Sequence, residues 1–333
     1  MKKVRFAVCG LGFIGKKHVE CINNNPEAEL IATIDIDPNK GPDFLSLEDF
    51  INSNVADKCD VLCVATPNFL HINQSILALK HRLNVICEKP LGLNIEECLL
   101  LQKAEDESGK KVICVLQNRY SPPIKWLKEI VSTKQLKEVF HIQINCYWNR
   151  DDRYYFPNGK KHDWKGVKEK DGGVLFTQFS HFVDILTWVF GEIHHVNHIS
   201  SNFTHQEKTD FDDTGSITFK LENGAIGNFN YSTSVWNKNL ESSIIVIGKN
   251  GSVKIGGQYM DHVEICDVES YTLPELQESE PPNDYGNYKG SAQNHKFVIQ
   301  NAVDFILHNK DIDVNLQEGI KSVKNIIAMT NES

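Results

Sequence analysis

Near the amino terminus an unbroken apolar run, Val4 to Cys9, is followed by Gly10, Gly12 and Gly15 in G-x-G-x-x-G spacing, opening onto the helix-like stretch Ile14 to Cys21. Glycine at all three places serves a strand, a tight turn and a helix that receive a dinucleotide. Gly10 permits the turn, Gly12 lets a pyrophosphate approach the backbone, and Gly15 lets the helix lie on the strand. The pyrophosphate then sits at the start of that helix. A second apolar run, Glu29 to Asp35, ends in an acid at the distance where a ribose is held. A carboxylate there accepts bonds from the ribose hydroxyls and repels a 2′-phosphate, so the expected cofactor is NAD rather than NADP. Its expected contacts here are Gly10, Gly12, Phe13, Ile14, Gly15, Asp35 and Ile36. Asp37 adds to the repulsion, although Lys40 is close enough in sequence to reach a phosphate. The competing reading is a glycine-rich turn in another α/β protein, with Asp35 capping a loop.

A chain of 333 residues suits two domains, each burying its own apolar set. A net charge of -9 argues against a nucleic-acid or anionic-membrane partner, which is bound by surplus Lys and Arg. Nine cysteines with no C-x-x-C, several in apparent strands, read as small buried hydrophobes in a reducing compartment. Neither a zinc site nor any other metal is expected. Met1 and two lysines lead straight into the first strand, and no apolar run is long enough to span a bilayer, so the expected location is cytoplasmic.

Along the chain, Asp60 to Ala65 is the next apolar strand, ending in Thr66-Pro67-Asn68, which faces the cofactor if the sheet is parallel. His71 follows, either as a cofactor contact or as a solvent-facing, cap-stabilising residue. Asn84 to Cys87 gives another buried strand closed by Glu88-Lys89-Pro90. A lysine at the carboxyl end of a parallel strand sits where ligands bind, though a surface ion pair explains it equally well. A helix over Ile95 to Glu107 and a strand over Val112 to Leu116 complete the alternation, so residues 1–120 are expected to form a doubly wound α/β domain of Rossmann type. Beyond them the period changes. Phe140, Ile142, Ile144, Cys146 and Trp148 alternate with polar residues, and Asn223-Gly224 and Asn250-Gly251 each separate two alternating runs. Those are hairpin signals, so residues 121–333 are expected to form an α+β domain with a large, mainly antiparallel sheet. Helices from about residue 291 are free to pack back on the first domain. Within Gly172 to Gly191 the spacing puts Thr177, His181 and Asp184 on one face of a single apolar helix, where a histidine must be hydrogen-bonded, with Asp184 the obvious partner.

Cys87-Glu88-Lys89-Pro90, taken with Gly172-Gly173 through His181 to Asp184, resembles the glucose-fructose oxidoreductase, inositol dehydrogenase and MocA family over nearly the whole chain. Tyr147 to Arg150, Tyr154-Tyr155, Trp164-Lys165-Gly166, Thr177-Gln178 and Glu241 to Gly248 sharpen the resemblance toward the UDP-N-acetylglucosaminuronate 3-dehydrogenases of bacterial surface-polysaccharide synthesis. The resemblance implies two domains meeting over the nicotinamide, Lys89 contacting the reacting hydroxyl and His181 taking its proton, with Glu88 and Gln117 among the NAD contacts. It also implies a homodimer or homotetramer. Oxidising a secondary alcohol needs a proton acceptor and a cation beside the developing alkoxide, which these residue types supply. One position departs from the family: many members carry an aspartate where this chain has Thr177, which leaves His181 as the proton acceptor. A uronate with a diphosphate needs cations, and Arg119, Arg150 and Arg153 are the candidates. Tyr154, Trp164, Thr177, Gln178 and His295 are the remaining candidate substrate contacts. Two rival functions remain, an inositol or simple aldose dehydrogenase and a dinucleotide-binding protein without turnover.

Overall fold

The computed structural model describes residues 2–330. Two compact units divide the chain: residues up to Leu116 together with His295–Lys324, and Gln117–Asn294 together with the residues from Asn325 on.

The first unit runs β1 (Val4–Cys9), α1 (Phe13–Asn23), β2 (Ala28–Ile34), α2 (Leu47–Ile51), β3 (Val61–Val64), α3 (His71–Lys80), β4 (Asn84–Cys87), α4 (Ile95–Ser108) and β5 (Val112–Cys114). The strands form one parallel sheet in the order β2-β1-β3-β4-β5. Every residue of β3 and β4 is buried, which explains why they read as continuous apolar runs rather than alternating ones. After β2 the chain crosses to the other side of β1, so the order reverses there and leaves a crevice outside the carboxyl ends of β1 and β3. Helix starts are fixed locally. Ser46 and Asn94 accept the Asp49 and Glu97 amides at the first turns of α2 and α4.

The second unit holds α5 (Pro122–Ser132), β6 (Val139–Tyr147), α6 (Asp152–Tyr155), α7 (Lys168–Asp171), α8 (Val174–Thr177), α9 (Ser180–Phe190), β7 (Ile193–Ser201), β8 (Thr214–Leu221), β9 (Ile226–Ser232), β10 (Glu241–Gly248), β11 (Gly251–Gly256), β12 (His262–Val268), β13 (Pro282–Asp284) and β14 (Lys289–Ala292). Seven strands form a sheet in the order β12-β11-β10-β6-β9-β8-β7, and both Asn-Gly turns close antiparallel pairs. β6 and β9 run parallel, a direction that alternation alone does not encode. Ile142, Ile144 and Cys146 face inward, and Phe179 and Phe182 meet Trp148 edge-on above them.

The single helix expected within Gly172 to Gly191 is broken. α8 stops at Thr177 and α9 starts at Ser180, with a bend of 53° between the helical stretches 168–177 and 180–190. The Phe179 amide reaches back to Val174 O, and Gln178 turns its side chain to Arg150 and Tyr154, so Thr177 and His181 lie on separate helices. Among the described residues no single helix is long and apolar enough to cross a membrane.

The chain returns to the first unit with α10 (His295–His308) and α11 (Leu316–Thr330), the latter as far as Lys324. α10 starts later than the sequence suggests because Ser291 and Ala292 belong to β14. It packs on α1, and Asn25 donates to Gln300 while His308 meets Glu27 at 3.0 Å. A Cβ on Gly319 of α11 would fall 2.4 Å from Cys114 Sγ, so that helix lies directly on β5.

Candidate active site

In the first unit the glycines behave as three different constraints. Gly10 has φ +95°, and a Cβ there would stand 2.5 Å from Ala65 O, so both conformation and space require glycine. A Cβ on Gly15 would stand 1.6 Å from Gly10 O. A Cβ on Gly12 would meet nothing within 4 Å, which leaves open space over that backbone at the start of α1. A pyrophosphate fits such an opening. Asp35 is buried at the end of β2, beside β1, and accepts the Leu11 amide at 2.6 Å and the Asp37 amide at 2.9 Å. Burial pushes its carboxyl up, but the Asp37 amide, Lys40 and the Leu11 amide together hold it below its ordinary value. Lys40 is ion-paired to Asp35 at 2.9 Å. Phe13 (60% exposed) and Ile36 (88% exposed) stand in water on the turns after these two strands, and Ile14 is half-buried.

At the ends of β3 and β4, Thr66 donates to Gln74 at 2.6 Å, Pro67 is half-buried and Asn68 is buried. His71 is not solvent-facing: it is buried with Nδ1 2.7 Å from Pro90 O and Nε2 2.9 Å from Thr66 O, and burial favours the neutral ring, whose one N–H donates to one of these two carbonyls. Glu88 is buried and Lys89 half-buried, and the Lys89–Pro90 bond is cis. His295 lies in this unit: it begins α10, fully buried, 3.4 Å from Glu88.

In the second unit His181 occupies the first turn of α9 at 1% exposure. Asp184, one turn later, receives Arg119 on both oxygens, Nε at 2.8 Å and a terminal nitrogen at 2.6 Å, and the guanidinium lies 5.0 Å from the Trp188 ring. Arg119 is therefore a core ion pair rather than an open anion receptor. Arg150 is likewise enclosed. Its N–H groups go to Gln178 Oε1, Asn149 O, Asn239 Oδ1 and Lys289 O, and its faces lie on the Trp148, Tyr154 and Tyr288 rings. Arg153 is bound to Asp151 on the same turn. Arg119 and Arg150 are thus enclosed by partners within the unit, whereas Arg153 is half-exposed. Tyr154 is buried in that cage and its hydroxyl accepts from Gln178 at 2.9 Å. Thr177 donates to the Asp171 carboxylate, whose other oxygen accepts the Gly166 amide at 2.8 Å. Trp164 is half-buried beside His162. Gln117 falls in this unit, buried, and its side-chain amide donates to Ser291 at 3.3 Å.

Residues 4–115 match the oxidoreductase family, NAD-binding Rossmann fold, and residues 124–254 match the GFO/IDH/MocA C-terminal domain. The chain belongs to the GFO/IDH/MocA family. Its cofactor is NAD, and it is an NAD-dependent oxidoreductase. Among solved structures of this family it is similar to the WlbA dehydrogenase of Bordetella pertussis in complex with NADH and UDP-GlcNAcA, at 26% identity and a TM-score of 0.83 over 98% of this chain and 96% of that one. It is equally similar to the Chromobacterium WlbA complex with the same ligands, at 28% identity and a TM-score of 0.83 over 99% and 93%. A curated relative, 2,7-anhydro-N-acetylneuraminate hydratase of Escherichia coli, is 26% identical over 77% of this chain and 68% of its own.

Within each unit, further polar residues that the fold buries wholly or in part carry little signal in sequence. His18 follows Gly15 on α1 and binds Glu88 at 2.8 Å. Its mark is a polar residue on the face of α1 that otherwise carries Gly15, Cys21 and Ile22. Asp171 precedes the Gly172-Gly173 pair and reads as a helix end until its contact with Thr177 is seen. Lys165 lies 4.1 Å over the Tyr154 ring, with no carboxylate in ion-pair range among the described residues. Burial pushes it down to about 8, Asp171 opposing and Arg150 adding to the shift.

Proposed function

We propose that this protein oxidises the 3-hydroxyl of a UDP-linked N-acetylhexosaminuronate to the ketone, as a step in building a surface polysaccharide. The observation that carries the reading is the likeness, over nearly the whole chain, to two dehydrogenases crystallised with NADH and UDP-GlcNAcA. Bound NAD supplies the acceptor for the hydride leaving the carbinol carbon. His181 takes the hydroxyl proton, and the Lys89 ammonium stabilises the oxygen as it gains negative charge. The alcohol thereby loses a hydride and a proton, and the imidazole at 181 holds the proton until solvent removes it. On the chain's own side, Gly10, Gly12 and Gly15 admit the pyrophosphate and Asp35 receives the ribose.

Purified protein mixed with UDP-N-acetylglucosaminuronate and NAD should give rising absorbance of NADH, or the oxidised spectrum where the protein carries NADH of its own. His181→Asn should abolish that change and leave NAD binding intact. Turnover of inositol or a free aldose with none of the UDP-uronate would overturn the substrate and keep the oxidoreductase.

A further inference from the structure

Three buried histidines converge on the short segment Glu88–Lys89–Pro90. His18 Nε2 lies 2.8 Å from Glu88 Oε1. His295 Nε2 stands 3.4 Å from the same oxygen, and the two imidazoles meet edge to face with centroids 5.4 Å apart. Glu88 turns its other oxygen back to the Lys89 amide at 3.2 Å. Beyond Lys89, the His71 ring sits between Pro90 O at 2.7 Å and Thr66 O at 2.9 Å, with its one N–H free to donate to either, so it packs between the turn after β4 and the turn after β3. All three rings are 0–1% exposed, and Glu88 is 5% exposed.

Stability alone does not account for this arrangement. Nδ1 of His18 and both ring nitrogens of His295 are buried without a well-formed hydrogen bond, His295 Nε2 reaching Glu88 only as the 3.4 Å contact, and an apolar side chain in either place would avoid that penalty. What the three rings do is fix a direction. The Glu88 carboxylate meets rings from α1 and α10, and the Pro90 carbonyl meets a ring from α3, so the residues on either side of Lys89 are both engaged.

We propose that His18, His71 and His295 are positioning residues that fix the backbone of residues 88–90, and with it the direction in which the Lys89 side chain leaves the sheet. This rests on the reading of Lys89 as the cation at the reacting oxygen. His18, Glu88 and His295 also bring their ligand atoms within 4.8 Å of one another, a spacing that suits a metal. Two features oppose that use. Metal-bound histidines have their outer N–H held by a carbonyl or carboxylate, whereas Nδ1 of both rings here has no acceptor, and Glu88 uses its second oxygen on the Lys89 amide.

The test compares His295→Leu, His295→Gln and His71→Leu in the full chain, by NADH titration, by kinetics with the UDP-uronate, and by the pH dependence of Lys89 labelling with an amine reagent read by peptide mass spectrometry. In His295→Leu, misplacing the ammonium by a fraction of an ångström should lower kcat about tenfold to a hundredfold. KM and NADH affinity should hold, and the Lys89 labelling curve should move while that of Lys103 does not. His295→Gln, which keeps a donor for Glu88, should recover most of the loss, and His71→Leu should follow His295→Leu. Should the leucine variant fail to bind NADH, the glutamine variant and the Lys89 labelling curve still decide. A folded leucine variant with parental labelling and kcat overturns the proposal. So does stoichiometric metal in the purified protein whose removal by chelator lowers activity. If Lys89→Met retains kcat, the reading of Lys89 fails, and the labelling curves still report whether the histidines position it.

Discussion

The second unit spends its buried charge in two contrasting ways. Arg119 and Asp184 form a closed bidentate pair, with side chains 8% and 3% exposed. Asp184→Asn keeps the shape and strands a guanidinium in the core, a change that costs about 3–5 kcal/mol where a buried pair is broken. Urea denaturation of the two proteins should show that loss, and a difference no larger than that of a surface substitution would place the pair outside the folded core. Lys165 is the opposite case, a cation held on an aromatic face rather than by an acid. Its folded pKa of about 8 lies below its ordinary 10.5. Between those values the unfolded chain binds a proton that the folded one has released, so this group makes stability rise with pH through that window, and its full penalty is present below it. Lys165→Met should therefore be more stable than the parent at pH 7, with the difference narrowing by pH 10. A constant difference across the range would mean that Lys165 titrates in the folded protein as it does in water.

Element by element, the link between β1 and α1 separates folding from binding. Gly15→Ala sets a Cβ 1.6 Å from Gly10 O, so α1 must move off its strand, and both thermal stability and NADH binding should fall. Gly12→Ala adds a methyl to open space, so stability should hold while NADH fluorescence titration shows lost affinity. Equal behaviour of the two variants would remove the pyrophosphate from this turn. The same link was the most legible part of the sequence, because strand, turn and helix each impose a local requirement that glycine alone meets. The Asn-Gly hairpins at 224 and 251 were legible for the same reason. The break at Gln178 was not. The apolar run continues through it, and what stops the helix is a side chain drawn to Arg150 and Tyr154, contacts between residues far apart in sequence. Long-range closure also explains why Arg119 and Arg150 read as ligand groups and turned out to be internal. Their residue type names a chemistry, whereas their partners Asp184, Asn239 and Lys289 emerge only on folding.

At the scale of the whole molecule, the first unit is discontinuous: the chain leaves it after Leu116 and completes it with His295–Lys324. That late segment is more than an added layer. His295 faces Glu88, Gln300 receives Asn25, Asn315 bridges Ile113, and Gly319 lets α11 lie on Cys114, so it touches α1, β5 and the turn after β4. The unit that holds the dinucleotide crevice is thus completed by residues far along the chain from the G-x-G-x-x-G motif. A chain ended after Asn294 should fail to bind NADH and should expose the α1 face to hydrogen exchange, whereas one ended after Thr330 should bind as the parent does. Adding residues 295–330 back as a separate peptide should restore part of the NADH affinity, because what is missing is a packing surface and not a covalent step. Full NADH affinity in the chain ended at Asn294 would show that α10 and α11 cover the first unit without supporting its cofactor site.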